Sequence, residues 1–299
     1  MSRATQFLVG VLIFLVVSLF IIGIAGAFGL ATGLLIPTDD SELREYDTSQ
    51  YYIEKIEADG QVDVQAPTGD DPDPGLILID DAHMNEFEEG EIQELKAGLM
   101  AYGHEVRVVE EGSEFHAELE DAQALVVIDP TSPYGSQEIE AVKEFEAGGG
   151  QVMLVGQPDR VEVVGMELRQ INSEINSLAN ALGVNFGSDY LYDMEANDGL
   201  FRNVLVESTD HPLMTDVDQG AIYIGTHVSA GEDSQPLLVT HSTAQRSGGE
   251  TPDTYTVATA SDSVLAIGDL TFMDRNTYNV ADNERIIEAI VAFLSGVEP

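Results

Sequence analysis

The chain has 299 residues, with 54 acidic against 12 basic side chains, a net charge of -42 and no cysteine. The missing cysteine excludes disulfides, thiolate metal sites and a cysteine nucleophile, and the lack of any basic patch argues against nucleic acid as a partner. A surplus of this size repels itself unless salt screens it, and the Debye length falls to about 3 Å at 1 M. The acids are spread through apolar, periodic segments, so the expectation is a folded domain adapted to high salt.

From Phe7 to Ile36 no residue is charged. A span from Phe7 to about Phe28 is long enough for a hydrocarbon core of about 30 Å. Residues 1–36 are therefore read as an N-terminal transmembrane anchor. A cleaved signal peptide ending near Ala25-Gly26-Ala27 is the competing reading. Arg3 and the free amine before the span face a single Arg44 beyond it. This tilts the expectation to a single-pass cell-membrane protein with its soluble domain outside. Residues 37–74 read as a stalk, closed by the turn-rich run Pro67–Gly75.

Beyond it, strands and helices alternate. Leu76–Ile79 is an apolar run of the kind buried on both faces. Glu86–Tyr102 reads as a helix ended by Gly103. Val106–Val109 and Ala124–Ile128 are strands, Ser136 is read as the N-cap of a helix through Phe145, and Gly148-Gly149-Gly150 stops it before the strand Val152–Val155. In the second half, Leu168–Leu182 reads as an amphipathic helix closed by Gly183. Val184–Phe186, Val204–Val206, Ala221–Ile224, Leu237–Thr240, Tyr255–Ala260 and Ser263–Ile267 read as strands. Asp282 is expected to cap a last helix, Glu284–Leu294. The alternation predicts an α/β domain over residues 75–299 with a mostly parallel sheet and right-handed crossovers.

Ligands of open parallel sheets bind beyond the carboxyl ends of the strands. Asp80, Asp81 and His83, then Asp129, Gln157 and Asp269, fall at such ends and form the expected ligand-binding cleft. Asp80, Asp81 and His83 have the donor atoms for a divalent metal. The alternative is that Asp81 or Asn85 caps the helix expected near Glu86, with His83 an ordinary loop residue. No G-x-S-x-G elbow and no Walker motif occurs. The glycine triplet precedes a strand instead of opening a helix, so neither a serine nucleophile nor a nucleotide cofactor is expected.

Four stretches carry a family resemblance: Ile77–His83; Ile128–Tyr134 with Glu138 and the triplet before Val152–Val155; Ile175–Phe186 with His211-Pro212-Leu213; and Gly268–Phe272 leading to Asp282-Asn283. In order and spacing the soluble part resembles the domain of unknown function 4350 group of a halophilic archaeon. That group is related to GldG-like and intraflagellar-transport-like proteins, within the class I glutamine amidotransferase-like fold. The resemblance implies a flavodoxin-like three-layer α/β domain, often membrane-tethered, with partners encoded beside a MoxR-type ATPase. The amidotransferase nucleophile elbow corresponds here to Val155-Gly156-Gln157-Pro158, where no nucleophile stands. The leading expectation is thus a membrane-anchored, non-enzymatic module that binds a ligand or a protein. The alternatives are a metal-dependent hydrolase using Asp80, Asp81 and His83, and an accessory subunit of a transport system.

Overall fold

The computed structural model describes residues 74–110, 115–164, 167–249 and 251–297. The expected anchor and nearly all of the expected stalk lie outside these residues. Among the described residues no helix is long and apolar enough to cross a membrane.

The first half follows the alternating pattern: β1 (Leu76–Asp81), α1 (Gln93–Ala101), β2 (Glu105–Glu110), α2 (Phe115–Glu120), β3 (Ala122–Ile128), α3 (Ser136–Ala147) and β4 (Gln151–Val155). A hairpin of β5 (Arg160–Val164) and β6 (Glu167–Ile171) comes next, then a short helix α4 (Asn176–Ala179). The rest is mainly strands: β7 (Val184–Phe186), β8 (Leu191–Tyr192), β9 (Asn203–Ser208), β10 (Gln219–Tyr223), β11 (Val228–Ala230), β12 (Gln235–Thr240), β13 (Gln245–Arg246), β14 (Thr256–Ala260) and β15 (Val264–Ile267). Helix α5 (Asn283–Leu294) follows them.

Nine strands form one sheet in the order β10-β9-β12-β14-β15-β4-β3-β1-β2. From β2 to β15 every neighbouring pair is parallel, in the 2-1-3-4-5 order of flavodoxin-like folds. The remaining four strands join antiparallel. Two reversals turn β12 back to the direction of the parallel block and two more do the same for β10, so only β14 and β9 run against it.

The two-residue period of the strands divides the core into two. Ile77, Ile79, Val126, Ile128, Met153 and Val155 pack on one face with Leu95 and Leu99 of α1 and Ile287 and Ile290 of α5. Leu78, Leu125, Val127, Val152 and Leu154 pack on the other with Leu119 of α2, Val142 of α3 and Leu178 of α4. Helices thus cover both faces of the parallel block, giving the expected three layers. Each buried Leu or Ile contributes about 1.5–3 kcal/mol by leaving water.

At the far edge, Asn283 ties α5 to the sheet. Its Oδ1 accepts the Ala221 N–H, and its Nδ2 donates to the carbonyls of Ala221, Phe272 and Thr277. Asp282 precedes the helix but its carboxylate accepts the N–H groups of Asp218 and Gln219, so it holds the entry of β10 and does not cap its own helix.

Three local expectations are corrected. The helix expected from Glu86 begins at Gln93; before it, Glu88 and Glu91 form a tight turn through two backbone N–H bonds, and Asn85 bridges to Pro130. The N-cap position of α3 is Gly135, whose N–H is satisfied by Glu138 Oε2 at 2.7 Å, and not Ser136. The helix expected over Leu168–Leu182 is strand β6, a break, and only then α4 with a 3-10 turn ending at Gly183 (φ +77°).

Candidate functional site

The strand order places the topological switch between β1 and β3, where a ligand crevice is expected beyond their carboxyl ends. Here the two loops close that crevice on each other. Thr131 and Ser132 donate backbone N–H bonds to the His83 carbonyl, Glu86 donates to the Asp129 carbonyl, and Asn85 Nδ2 donates to the Ile128 carbonyl at 2.7 Å. Asn85 Oδ1 also accepts the His83 N–H. Asn85 therefore pins the loop and caps no helix.

Inside the closed crevice Asp80 is fully buried. Its carboxylate faces His83 Nδ1 at 2.9 Å and accepts the Tyr134 hydroxyl at 2.6 Å. The His83 ring lies flat against Tyr134, with centroids 3.6 Å apart and planes 15° off parallel, and Phe115 meets it edge-on. His83 Nε2 points to Glu138 Oε1 at 3.5 Å. Burial pushes the His83 pKa down, but Asp80 and Glu138 more than offset it, and the net shift is upward. Burial and the adjacent Asp80 push the Tyr134 phenol well above its usual value, so it stays a donor. Tyr134 and Glu138 are absent from the cleft expected on sequence. The legible hint was their place at the start of α3, directly across from the loop after β1.

The other expected residues separate. Asp81 ends β1 partly exposed, its pKa raised by partial burial and by Asp80 and Glu110. Asp80, Asp81 and His83 therefore do not converge on a shared ion. Among the described residues no three of His, Cys, Asp and Glu are arranged to hold a metal. Asp269 is fully buried and accepts the backbone N–H groups of Tyr223, Thr271 and Phe272, a structural clamp; burial pushes its pKa up to about 7.

Asp129 is fully buried with φ +36°, in the left-handed region. Its Oδ2 holds Arg160 Nη1 at 2.7 Å, while Oδ1 has no hydrogen-bond partner. Burial raises its pKa against the pull of Arg160. Arg160 and Gln157 then line a cleft of about 300 Å³ with Glu86, Glu91, Tyr223 and Ile224. Among the described residues Arg160 is the one cation in that lining.

At Val155–Pro158, where the resemblance would put a nucleophile elbow, the space is filled from the other side. Gly156 donates its N–H to the Ile267 carbonyl, and a Cβ on it would lie 2.4 Å from the Phe186 ring. A side chain there cannot fit without moving Phe186. The cluster thus holds a buried acid and histidine, with a second, partly exposed acid beyond the imidazole.

Beside the closed crevice stands the β5–β6 hairpin. Directly paired residues share a face, so Val161 and Gln170 lie with Val163 and Leu168, and Arg160 lies with Glu162 and Arg169. The charged face turns to the body through Arg160–Asp129 and Arg169–Glu86. The apolar face turns out: Val161 is 61%, Val163 71% and Leu168 75% exposed.

No family model matches the chain, and no curated protein matches it. Solved structures do. One described as "mmIFT52 N-terminal domain" superposes with a TM-score of 0.59 at 12% identity, over 73% of this chain and 96% of that one. A ThuA-like protein from Bacteroides uniformis aligns over 75% of this chain and 93% of its own, at 13% identity and a TM-score of 0.48. At 12% identity the first match concerns the fold alone. It agrees with the α/β class. The described residues thus form an α/β domain of flavodoxin-like strand order extended by antiparallel strands.

Proposed function

We propose that this chain is a membrane-anchored, non-enzymatic binding module that docks a partner protein within a membrane-associated assembly. The observation that carries this reading is the shut crevice at the β1/β3 switch point. The position a substrate would take is filled by the His83–Tyr134 stack and stitched over by the flanking loops. The hairpin next to it supplies a surface in its place, with charge turned inward and apolar side chains outward. An exposed apolar face of that kind is the mark of an interaction surface. The membrane part rests on the apolar run Phe7–Ile36. Membership of the domain of unknown function 4350 group from a halophilic archaeon, with partners of the MoxR-associated kind, is the finer form of the proposal. No observation favours the metal-dependent hydrolase.

The test is a pull-down of the tagged full-length protein from native membranes in molar salt, beside a Val161→Ser, Val163→Ser, Leu168→Gln variant. The reading expects a defined set of membrane or ATPase partners that the variant loses while remaining folded. Transport subunits among them would place the module in a transporter. Equal recovery by both proteins removes the hairpin from the interface. A hydrolase activity lost on His83→Ala would overturn the non-enzymatic reading.

A further inference from the structure

Carboxylates outnumber cations more than fourfold in this chain, and most described cations sit on one. Lys96, Arg107, Lys143, Arg160, Arg169 and Arg285 each contact a carboxylate. Arg202 does not. Among the described residues its guanidinium makes no ion pair or hydrogen bond, and its Nε is buried without a partner. It is held instead by rings, 5.8 Å from the Tyr190 centroid and 5.4 Å from that of Phe201. Tyr192 meets the Phe201 ring edge-on at 6.1 Å. Leu200, Phe201 and Ile224 are exposed around it.

The backbone beside the arginine is strained. Ile224, whose N–H donates to the Arg202 carbonyl, has φ +60°, a conformation that a β-branched residue adopts at a cost. Arg246 has the same unpartnered Nε and lies 5.9 Å from the Tyr255 ring centroid, but it faces inward. It pairs directly with the buried Leu191 and shares its inward face. Arg275 is simply exposed.

We propose that Arg202, backed by Tyr190 and Phe201, forms a binding site for a carboxylate carried on an aromatic or apolar body. The planar guanidinium fork matches a carboxylate in two parallel bonds. The rings and the exposed Leu200 and Ile224 take the apolar part. A doubly charged phosphate fits less well, since one arginine would face it amid the negative field of the whole chain. The carboxylate has two possible sources, a small aromatic acid or the terminus of a peptide chain.

The experiment is equilibrium dialysis of radiolabelled benzoate against the full-length protein at fixed ionic strength, with benzamide as the neutral control. The arginine Nε–Hε NMR signals locate the binding, and Arg202→Gln identifies the Arg202 signal by its loss. Benzoate should move that signal and benzamide should not. Arg202→Gln should weaken benzoate binding by about tenfold or more, the loss of a charged hydrogen bond. Arg246→Gln should leave it unchanged. The Arg202 substitution leaves the backbone bond to Ile224 in place, and an unchanged amide spectrum elsewhere confirms the fold. N-acetylphenylalanine binding more tightly than benzoate identifies a chain terminus as the source, and the reverse a small acid. Equal binding of benzamide, no saturable benzoate binding, or an unaffected Arg202→Gln variant overturns the proposal.

Discussion

The hydroxyl of Tyr134 donates to the carboxylate of Asp80 at 2.6 Å, across 54 residues of chain, while the same ring carries the stacked imidazole of His83. One side chain thus joins the start of α3 to the end of β1 by two different interactions, and substitutions separate them. Tyr134→Phe keeps the stack and leaves the buried carboxylate one donor short. The expected loss is about 1–3 kcal/mol. Tyr134→Ala removes the ring as well and should cost about 3–5 kcal/mol. Guanidinium chloride unfolding of both variants reads the difference, and a neutral Tyr134→Phe would show that the hydroxyl bond contributes nothing.

Arg160 and Arg169 sit on one face of the same hairpin but hold unlike partners. Asp129 is fully buried, whereas the Arg169–Glu86 pair is partly in water. Arg160→Ala strands a buried carboxylate and should cost about 3–5 kcal/mol. Arg169→Ala should cost about 0–1 kcal/mol. Paired unfolding curves test the ratio, and equal losses would contradict the burial of Asp129.

Asp269 and His83 should each contribute less stability as pH rises from about 4 to 8, while His104, His211 and His227, whose pKa values burial lowers, act in the opposite sense. Asp269 is raised from 3.8 to about 7, so its contribution is full below 3.8 and is lost as pH passes about 7. His83 is raised above 6.5. Its contribution is full below 6.5 and disappears as pH climbs through the folded value. Carboxyl carbon NMR should show a buried aspartate titrating near neutrality, and Asp269→Asn should abolish that titration. Its absence from the protein, or its survival in the variant, would contradict the Asp269 sign.

Salt acts on the same balance. With a net charge of -42, dilution from molar salt to about 0.1 M lengthens the Debye length from about 3 to about 10 Å. Repulsion between surface carboxylates then extends across neighbouring elements. Tm should drop on dilution at constant pH, and a flat Tm would remove the high-salt reading of the composition.

The parallel block was legible because its strands are apolar on both faces, as at Leu76–Ile79 and Val152–Val155, and glycines end its helices. The hairpin was not. Leu168, Ile171, Ile175 and Leu178 have a spacing of three and four that fits a helix, but Leu168 pairs with Val163 and stays exposed while Ile171 is buried against the body. Only tertiary pairing tells the two apart. Within the site, the strand-end rule found Asp80, His83 and Asp129. It missed Tyr134 and Arg160, because their roles depend on which loops the topology brings together. The scarcity of cations was a usable signal for Arg160 and for Arg202.

The order of strands also sets a timetable for synthesis. In the sheet β15 lies beside β4, yet in the chain its first residue, Val264, comes 109 residues after Val155 (264 − 155). At about 5–20 residues per second the ribosome needs roughly 5–20 s to deliver it. Through that interval one apolar edge of β4 has no native neighbour, a template for pairing with other nascent chains. Asn283 emerges later still, and until it does the outermost strand lacks the residue that fastens it. The acidic surface that protects the finished protein against its neighbours is therefore needed first while the chain is still half made.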